Sequence, residues 1–329
     1  MKFAGVVVLY NPSKKINDNI QSYIKGIEKL YIVDNSSKDN SEIICRHNKI
    51  EYIPNFDNLG IATALNIGAK RAIEDKFDYL LTMDQDSKFN NNDILKLTNM
   101  IKKYYDNRDL IEQFGNDLSK IWLFTPLHVI NNDKKILGEP NEKYDSPLNV
   151  MTSGNIINLD IYQKIGGFRD DFFIDCVDFD YCMKMRKLGY NLIRNNDIIL
   201  NHELGNYVTK KFFGKTYSTF EHNHIRRYYI IRNRHYLCKM YWNDFNEYCR
   251  LEKKCSLKEL KLVWLCEKHK IKKSWYMLKG YIDYKKGKKG KIWIKNQVLL
   301  IYDYFFDSNL ILSYKKENKI VQSKKLTGK

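Results

Sequence analysis

The sequence predicts an α/β protein with a doubly wound, mostly parallel sheet, and three observations predict it. Apolar, β-branched runs alternate with helical segments along the first half of the chain, as crossover connections require. The runs are apolar throughout, as in "FAGVVVL" and "YLL", which suits strands covered on both faces. Each run also closes in a polar cluster: Asn11, then Asp34-Asn35, then Asp84 and Asp86. Open α/β sheets bind ligands at such carboxyl ends.

The elements follow in order. "FAGVVVLYNP" is a strand closed by the Asn11-Pro12 turn, and a helix is expected over Ile16 to Ile27. "KLYIVDNSS" and "IEYIPN" are the second and third strands. "NLGIATALNIGAKRAIE" enters through a glycine loop and continues as a helix with small residues at close-packing spacings. "FDYLLTMDQD" is the fourth strand. "MTSGNIINL" reads as a strand entered from a Ser-Gly turn, and "IYQKIGGF" as a short helix stopped by Gly166-Gly167. Asp175, Asp178 and Asp180 surround the start of a helix that Gly189 ends. Acidic residues there are ordinary dipole partners, but Asp178 also supplies a carboxylate apart from the strand-end pair, as base-assisted transfer requires.

The spacing of Asp84 and Asp86 carries the chemistry. Two carboxylates that close are costly to bury unless a cation neutralises them, and a hard divalent metal on oxygen ligands does so. The alternative is a solvated turn. A dinucleotide fingerprint is excluded, because Tyr10-Asn11-Pro12-Ser13 follows the first strand without glycine. A calcium loop from Asp84 is excluded by Phe89 and Leu95, where glycine and glutamate are needed. A haloacid-dehalogenase-like phosphatase also places Asp-x-Asp after a strand, usually its first, and stands as the alternative enzyme.

Composition adds context. The 329 residues carry a net charge of +17, which implies an anionic partner. Residues 250–329 hold 22 Lys and Arg against 7 Asp and Glu. Composition therefore changes near Asn206 to Phe220, and the expected division is a catalytic domain over 1–215 and a helical, basic, aromatic-rich region over 216–329. Seven dispersed cysteines without a C-x-x-C pair fit a reducing cytoplasm. The N-terminus has too short an apolar core for a signal peptide and is expected to be the first strand. No run of 18 apolar residues occurs, and "VLLIYDYFF" is broken by Asp303. From Tyr228 onward aromatic residues lie among lysines, which suits peripheral contact with an anionic membrane face. A basic nucleic-acid-binding module is the alternative reading of the tail, and a solvated lysine-rich face the plain one.

The ordered set "VVVLYNP", "VDNSS", "NLGIATALNIG", "MDQDS", "GGFRDDFFID" and "VDFDYCMKMRKLGY" resembles the family 2 glycosyltransferases of the GT-A fold, and among them bacterial rhamnosyltransferases of O-antigen or capsule synthesis. The resemblance covers about residues 3 to 235. It implies inverting transfer from a dTDP- or UDP-sugar to a saccharide acceptor, lipid-linked, with Mg²⁺ or Mn²⁺ as cofactor. It implies that Tyr10, Asn11, Pro12 and Asp34 hold the nucleotide, and that Asn58, Gly60 and Asn66 line nucleoside and diphosphate. Asp84 faces ribose or metal, and Asp86 is the direct metal ligand with His202 completing the site. Asp178 is the catalytic base, with Asp175 as the alternative because Val177 stands where many relatives carry an acid. Ser153, Gly154 and Asn155 hold acceptor or sugar, and Arg232 contacts phosphate or lies on a basic helix face. A cytoplasmic location, a homodimer and no specific nucleic acid complete the expectations.

Overall fold

The computed structural model describes residues 1–90, 92–130, 135–136, 142–203, 205 and 207–292. Residues 1–290 form one compact unit. The segment 298–306 and the end of the basic region lie outside the described residues.

The strands are β1 Phe3–Leu9, β2 Lys29–Asp34, β3 Ile50–Pro54, β4 Tyr79–Asp84, β5 Ser87–Phe89, β6 Ile121–Ile130, β7 Lys135–Ile136, β8 Tyr144–Asp145, β9 Asn155–Asn158, β10 Asn191–His202, β11 Tyr207–Phe212 and β12 Lys215–Phe220. The helices are α1 Ile16–Gln21, α2 Ile61–Glu74, α3 Asp93–Lys102, α4 Arg108–Phe114, α5 Leu159–Ile165, α6 Val177–Lys187, α7 His224–Tyr241, α8 Asn246–Cys266 and α9 Lys270–Lys285.

The main sheet runs β3-β2-β1-β4-β9-β6-β10-β5, with β7 and β8 at its margin. β1 to β4 pair in parallel, β9 runs antiparallel between β4 and β6, and β6 and β10 are parallel again. The sheet is thus mostly parallel, as the alternating pattern predicts. Its strands β1, β2 and β4 are buried on both faces. Phe3, Val7 and Leu9 of β1 pack with Ile20, Ile94 and Leu97 on one side, while Ala4 and Val6 meet Ala64, Leu65 and Ala69 of α2 on the other. The small residues of α2 let it approach closely, since a Cβ on Gly68 would collide with Val6.

Four features depart from the sequence reading. The helix expected over Ile16 to Ile27 is α1 followed by a separate 3₁₀ turn at Ile24–Gly26, the run ending at Tyr23, whose φ of −129° leaves the helical range. The long strands β6 and β10 were not foreseen. β10 reads "NLIRNNDIILNH", and its polar centre masks the strand pattern. The compositional change near Asn206 to Phe220 coincides with the β11–β12 hairpin, which pairs from Tyr207 to Phe220. The helical tail begins at His224, where the Asn223 side chain accepts from the Arg226 amide and caps α7.

The helical region has its own anchoring. Ile231, Val263 and Met277 form a small core between α7, α8 and α9. Beside it, buried Glu267 takes both Arg227 and Lys273, the latter at 2.8 Å. A buried carboxylate held by two cations is tolerable only when both stay in place.

Candidate active site

The register of the parallel strands sets the site. Leu9 lies opposite Asp34 and Val8 opposite Asp84, so β1, β2 and β4 end at one level and bring their polar residues to one edge of the sheet. The turn after β1 is tied down there. The Tyr10 amide donates to Gln85 Oε1 at 2.9 Å, and Gln85 Nε2 donates back to Tyr10 O at 3.3 Å. Asn11 sits at φ 47°, and its amide donates to Ser36 Oγ at 2.7 Å. Tyr10 and Asn11 are exposed and Pro12 half-buried, which leaves this turn open to a ligand. Asp34 is buried and accepts from the Ser36 amide, Ser36 Oγ, Asn40 Nδ2 and Tyr52 OH, at 2.5 to 2.8 Å. Four donors fill the lone-pair positions of a carboxylate, so a nucleotide base would reach Asp34 by displacing one of them.

Asp84, Asp86 and His202 offer ligand atoms that all lie within 4.8 Å of one another. β4 delivers Asp84 at its last residue. β5 pairs antiparallel with β10 so that His202 lies opposite Ser87, and His202 Nδ1 bonds Ser87 Oγ at 2.5 Å and stands 3.6 Å from Asp86 Oδ1. Asp86 Oδ1 is buried and has no hydrogen-bond partner. Burial raises the Asp84 carboxyl to about 6, with Asp86 adding to the rise and His202 and Arg226 opposing it. Burial likewise raises Asp86. Two carboxylates held above their ordinary values, one with an orphaned buried oxygen, and an imidazole on one side fit a divalent cation with oxygen and nitrogen ligands.

Asp178 stands in the first turn of α6. Burial pushes its carboxyl up to about 7, and the charges of Asp84 and Asp175 add to the rise. The metal cluster and the expected base therefore share one electrostatic environment. The segment leading to it is contorted: Phe173, Asp175 and Cys176 have φ of 66°, 63° and 62°. Left-handed backbone at non-glycine residues costs energy and persists where surroundings over-determine it. Here α7 holds it. Asn233 Nδ2 donates to the carbonyls of Phe172, Ile174 and Asp175 at 2.7 to 3.0 Å, and Arg232 donates to those of Asp171 and Phe172. Asp175 Oδ1 accepts from Arg226 Nε and Nη2 at 3.2 and 3.1 Å, so Asp175 is engaged in an ion pair, while the Asp178 side chain accepts from the Phe179 amide at 2.9 Å.

Arg232 does not reach the cleft. It is 1% exposed, spends its donors on carbonyls of Asp171, Phe172 and Gly290, and lies over the rings of Tyr228 and Tyr229. The residue that reaches is Arg226, which the sequence reading did not single out. Its charge is felt at Asp84, Asp86 and Asp175, and its side chain is 45% exposed. Arg226 and Asn233 lie seven residues apart, on one face of α7, a spacing the segment "RRYYIIRNR" already contained.

The remaining residues divide between support and lining. Asn66 is consumed by structure: its amide donates to Phe168 O and Asp170 Oδ1, and its oxygen accepts from Tyr162 OH and the Phe168 amide. Asn58 Oδ1 accepts from the Gly60 amide at 3.0 Å. Gly60 has φ 89°, and a Cβ there would stand 2.6 Å from Phe173 O, so this loop packs against the contorted segment. Ser153 Oγ accepts from the Asp84 amide at 3.0 Å, and Ser153 O accepts from His128 Nε2 at 2.7 Å. The Gly154 amide donates to Thr82 O, and Asn155 Nδ2 donates to Met151 O. Ser153 to Asn155 thus form the wall behind Asp84.

Comparisons with known proteins bear on the family and the fold. A family model, glycosyl transferase family 2, matches residues 6–165, which contain Asp34, Asp84 and Asp86. The chain is 26% identical over 239 residues to the dTDP-rhamnosyl transferase RfbF of Shigella flexneri, spanning 70% of this chain and 77% of that protein. It is 23% identical over 198 residues to the low-salt glycan biosynthesis hexosyltransferase Agl10 of Haloferax volcanii, spanning 57% of this chain and 62% of that one. A crystal structure of GalNAc-T7 with UDP, GalNAc and Mn²⁺ aligns over 87% of this chain and 57% of its own, with a TM-score of 0.53 and 13% identity, a likeness of fold. The fold is GT-A, and the phosphatase reading of Asp84-x-Asp86 gives way. The chain is a glycosyltransferase of the hexosyltransferase type, and its residues 6–165 match glycosyl transferase family 2.

Proposed function

We propose that this protein is an inverting, metal-dependent glycosyltransferase that moves a sugar, rhamnose in the favoured reading, from a dTDP- or UDP-sugar to a saccharide acceptor. The observation that carries the proposal is the cluster of Asp84, Asp86 and His202, whose ligand atoms lie within 4.8 Å of one another beside the ends of β4 and β10, with Asp178 near enough that the charge of Asp84 adds to the rise that burial gives its carboxyl. Asp86, Asp84 and His202 would hold Mg²⁺ or Mn²⁺, which when bound supplies Lewis-acid stabilisation of the leaving diphosphate. Arg226 adds a positive charge on the same side and offers donors to phosphate oxygens. The Tyr10-Asn11-Pro12 turn and Asp34 receive the nucleoside, while Gly60 and its Asn58 cap shape the opposite lip.

Asp178 acts as general base. Its carboxylate takes the proton of the acceptor hydroxyl as that oxygen attacks the anomeric carbon and the bond to the diphosphate breaks. A single displacement inverts the anomeric centre, by the logic of inverting hydrolysis with an alcohol in place of water. Asp175, already paired with Arg226, positions that arginine and the turn before α6. The dTDP-rhamnosyl transferase relative supports rhamnose as the donor sugar. In the same reading residues 1–215 form the catalytic domain, and the basic helical region over 216–329 lends it Arg226. A lipid-linked acceptor, a role in O-antigen or capsule synthesis, a homodimer, and a cytoplasmic location with peripheral membrane contact complete the proposal. Among the described residues no helix is long and apolar enough to cross a membrane.

A thermal-shift screen of dTDP- and UDP-sugars with and without Mn²⁺ tests the reading. A stabilisation that needs both sugar nucleotide and metal supports it, and no shift with any sugar nucleotide refutes it.

A further inference from the structure

We propose that the outward face of α9 is the surface by which this protein docks on an anionic lipid bilayer. The proposal gives a location to the membrane contact named above and rests on that part of the reading, not on the donor chemistry.

Helix α9 is apolar on two opposite sides. One side is buried: Tyr276, Met277 and Gly280 pack inward with Lys273 and Asp283. On the other, Ile271, Trp275, Leu278 and Ile282 are 54%, 45%, 50% and 37% exposed. Their spacing of four, three and four residues places them on one stripe. At about 100° per residue that stripe faces away from the buried side. Large apolar residues scattered singly on a surface need no explanation, but a contiguous stripe does. Trp264, 51% exposed at the end of α8, extends it, since its Nε1 donates to Ser274 Oγ at 3.0 Å.

The rim of the stripe chooses the occupant. Lys272 and Lys286 lie toward one edge and Lys285 on the other, while Lys279 turns back to pair with buried Asp283 at 2.6 Å. A second copy of the same face would bring lysine against lysine. The chain's own residues 293–329 carry seven Lys against three Asp and Glu, so they too are like-charged. A bilayer with anionic headgroups satisfies both features. Tryptophan, isoleucine and leucine enter the interface while the lysines, with long apolar stems, keep their ammonium groups among the phosphates. The β11–β12 hairpin repeats this chemistry, with Phe213 fully exposed at its tip and Lys210, Lys211 and Lys215 beside it.

The test is flotation of the full chain with vesicles of phosphatidylcholine containing about one third phosphatidylglycerol, without sugar nucleotide. The inference expects binding that weakens as salt is raised, is lost on pure phosphatidylcholine, and falls at least about tenfold in the Trp275→Ser/Leu278→Ser variant. Both side chains are exposed, so the variant should keep the wild-type melting temperature and sugar-nucleotide thermal shift. Failure of vesicle binding with that shift intact would sink the docking surface alone. Equal binding by wild type and variant would overturn it, as would a lipid-free wild-type dimer that the variant converts to monomer.

Discussion

His202 Nδ1 stands 3.6 Å from Asp86 Oδ1 and bonds Ser87 Oγ, so the last residue of a long strand completes a ligand set begun in the turn after β4. If this set holds the cation, its members should fail together. Asp86→Ala and His202→Ala should each abolish the Mn²⁺-dependent part of donor binding. Calorimetric titration of the donor with Mn²⁺ and again in EDTA reads this directly. Full activity in EDTA would remove the metal from the account.

The carboxyl of Asp178 gives a prediction with a definite sign. Its value in the folded protein, about 7, lies above the ordinary 3.8. Between those values the folded state holds a proton that the unfolded chain has released, so this group's contribution to stability falls as pH rises from about 4 to about 7. Asp178→Asn, which mimics the protonated form, should match wild type near pH 4. In EDTA at pH 8 it should be the more stable by about 1–2 kcal/mol, a figure below the full shift because the side chain is partly solvated. Denaturant melts at the two pH values measure it. A variant less stable than wild type at pH 8 would mean that Asp178 serves the fold instead.

The charge of Arg226 acts on Asp84 and Asp86, and its loss should be felt in the donor. Arg226→Ala should weaken donor binding roughly 10- to 100-fold, the range for a charge-assisted contact. Arg226→Lys should recover part of it, since charge remains but the planar fork is gone. Unchanged donor affinity in both variants would leave Arg226 with Asp175 alone.

Gly60 tests the packing of the donor loop. Gly60→Ala combines φ 89° with a Cβ 2.6 Å from Phe173 O, and should cost about 2 kcal/mol of stability while disturbing the turn before α6. Chemical denaturation checks this, and a change within about 0.5 kcal/mol, the range of an uneventful surface substitution, would show that the loop yields freely.

Much of this was legible in the sequence. The unbroken apolar runs of β1, β2 and β4 and the polar residues at their ends indicated a parallel sheet with a site at its carboxyl edge. Strands β6 and β10 were not, because the polar centre of "LIRNNDIIL" hides the run and because β10 draws its regularity from long-range pairing with β6. The same non-local pairing places His202, which no spacing could. Arg232 and Arg226 were indistinguishable as letters. Helix rotation turns one into the protein, where it clamps carbonyls, and the other into the cleft. Asn66 looked like a ligand residue, yet four hydrogen bonds to α5 and the loop after it consume it.

The most direct test compares donor binding and turnover in Asp178→Asn and Asp86→Ala, each titrated with the sugar nucleotide in Mn²⁺. The account predicts that Asp178→Asn binds donor within a fewfold of wild type while turnover falls by at least about a thousandfold, and that Asp86→Ala loses both. If Asp178→Asn loses donor binding in step with turnover, the carboxylate is not a separate base across the cleft, and the central claim fails.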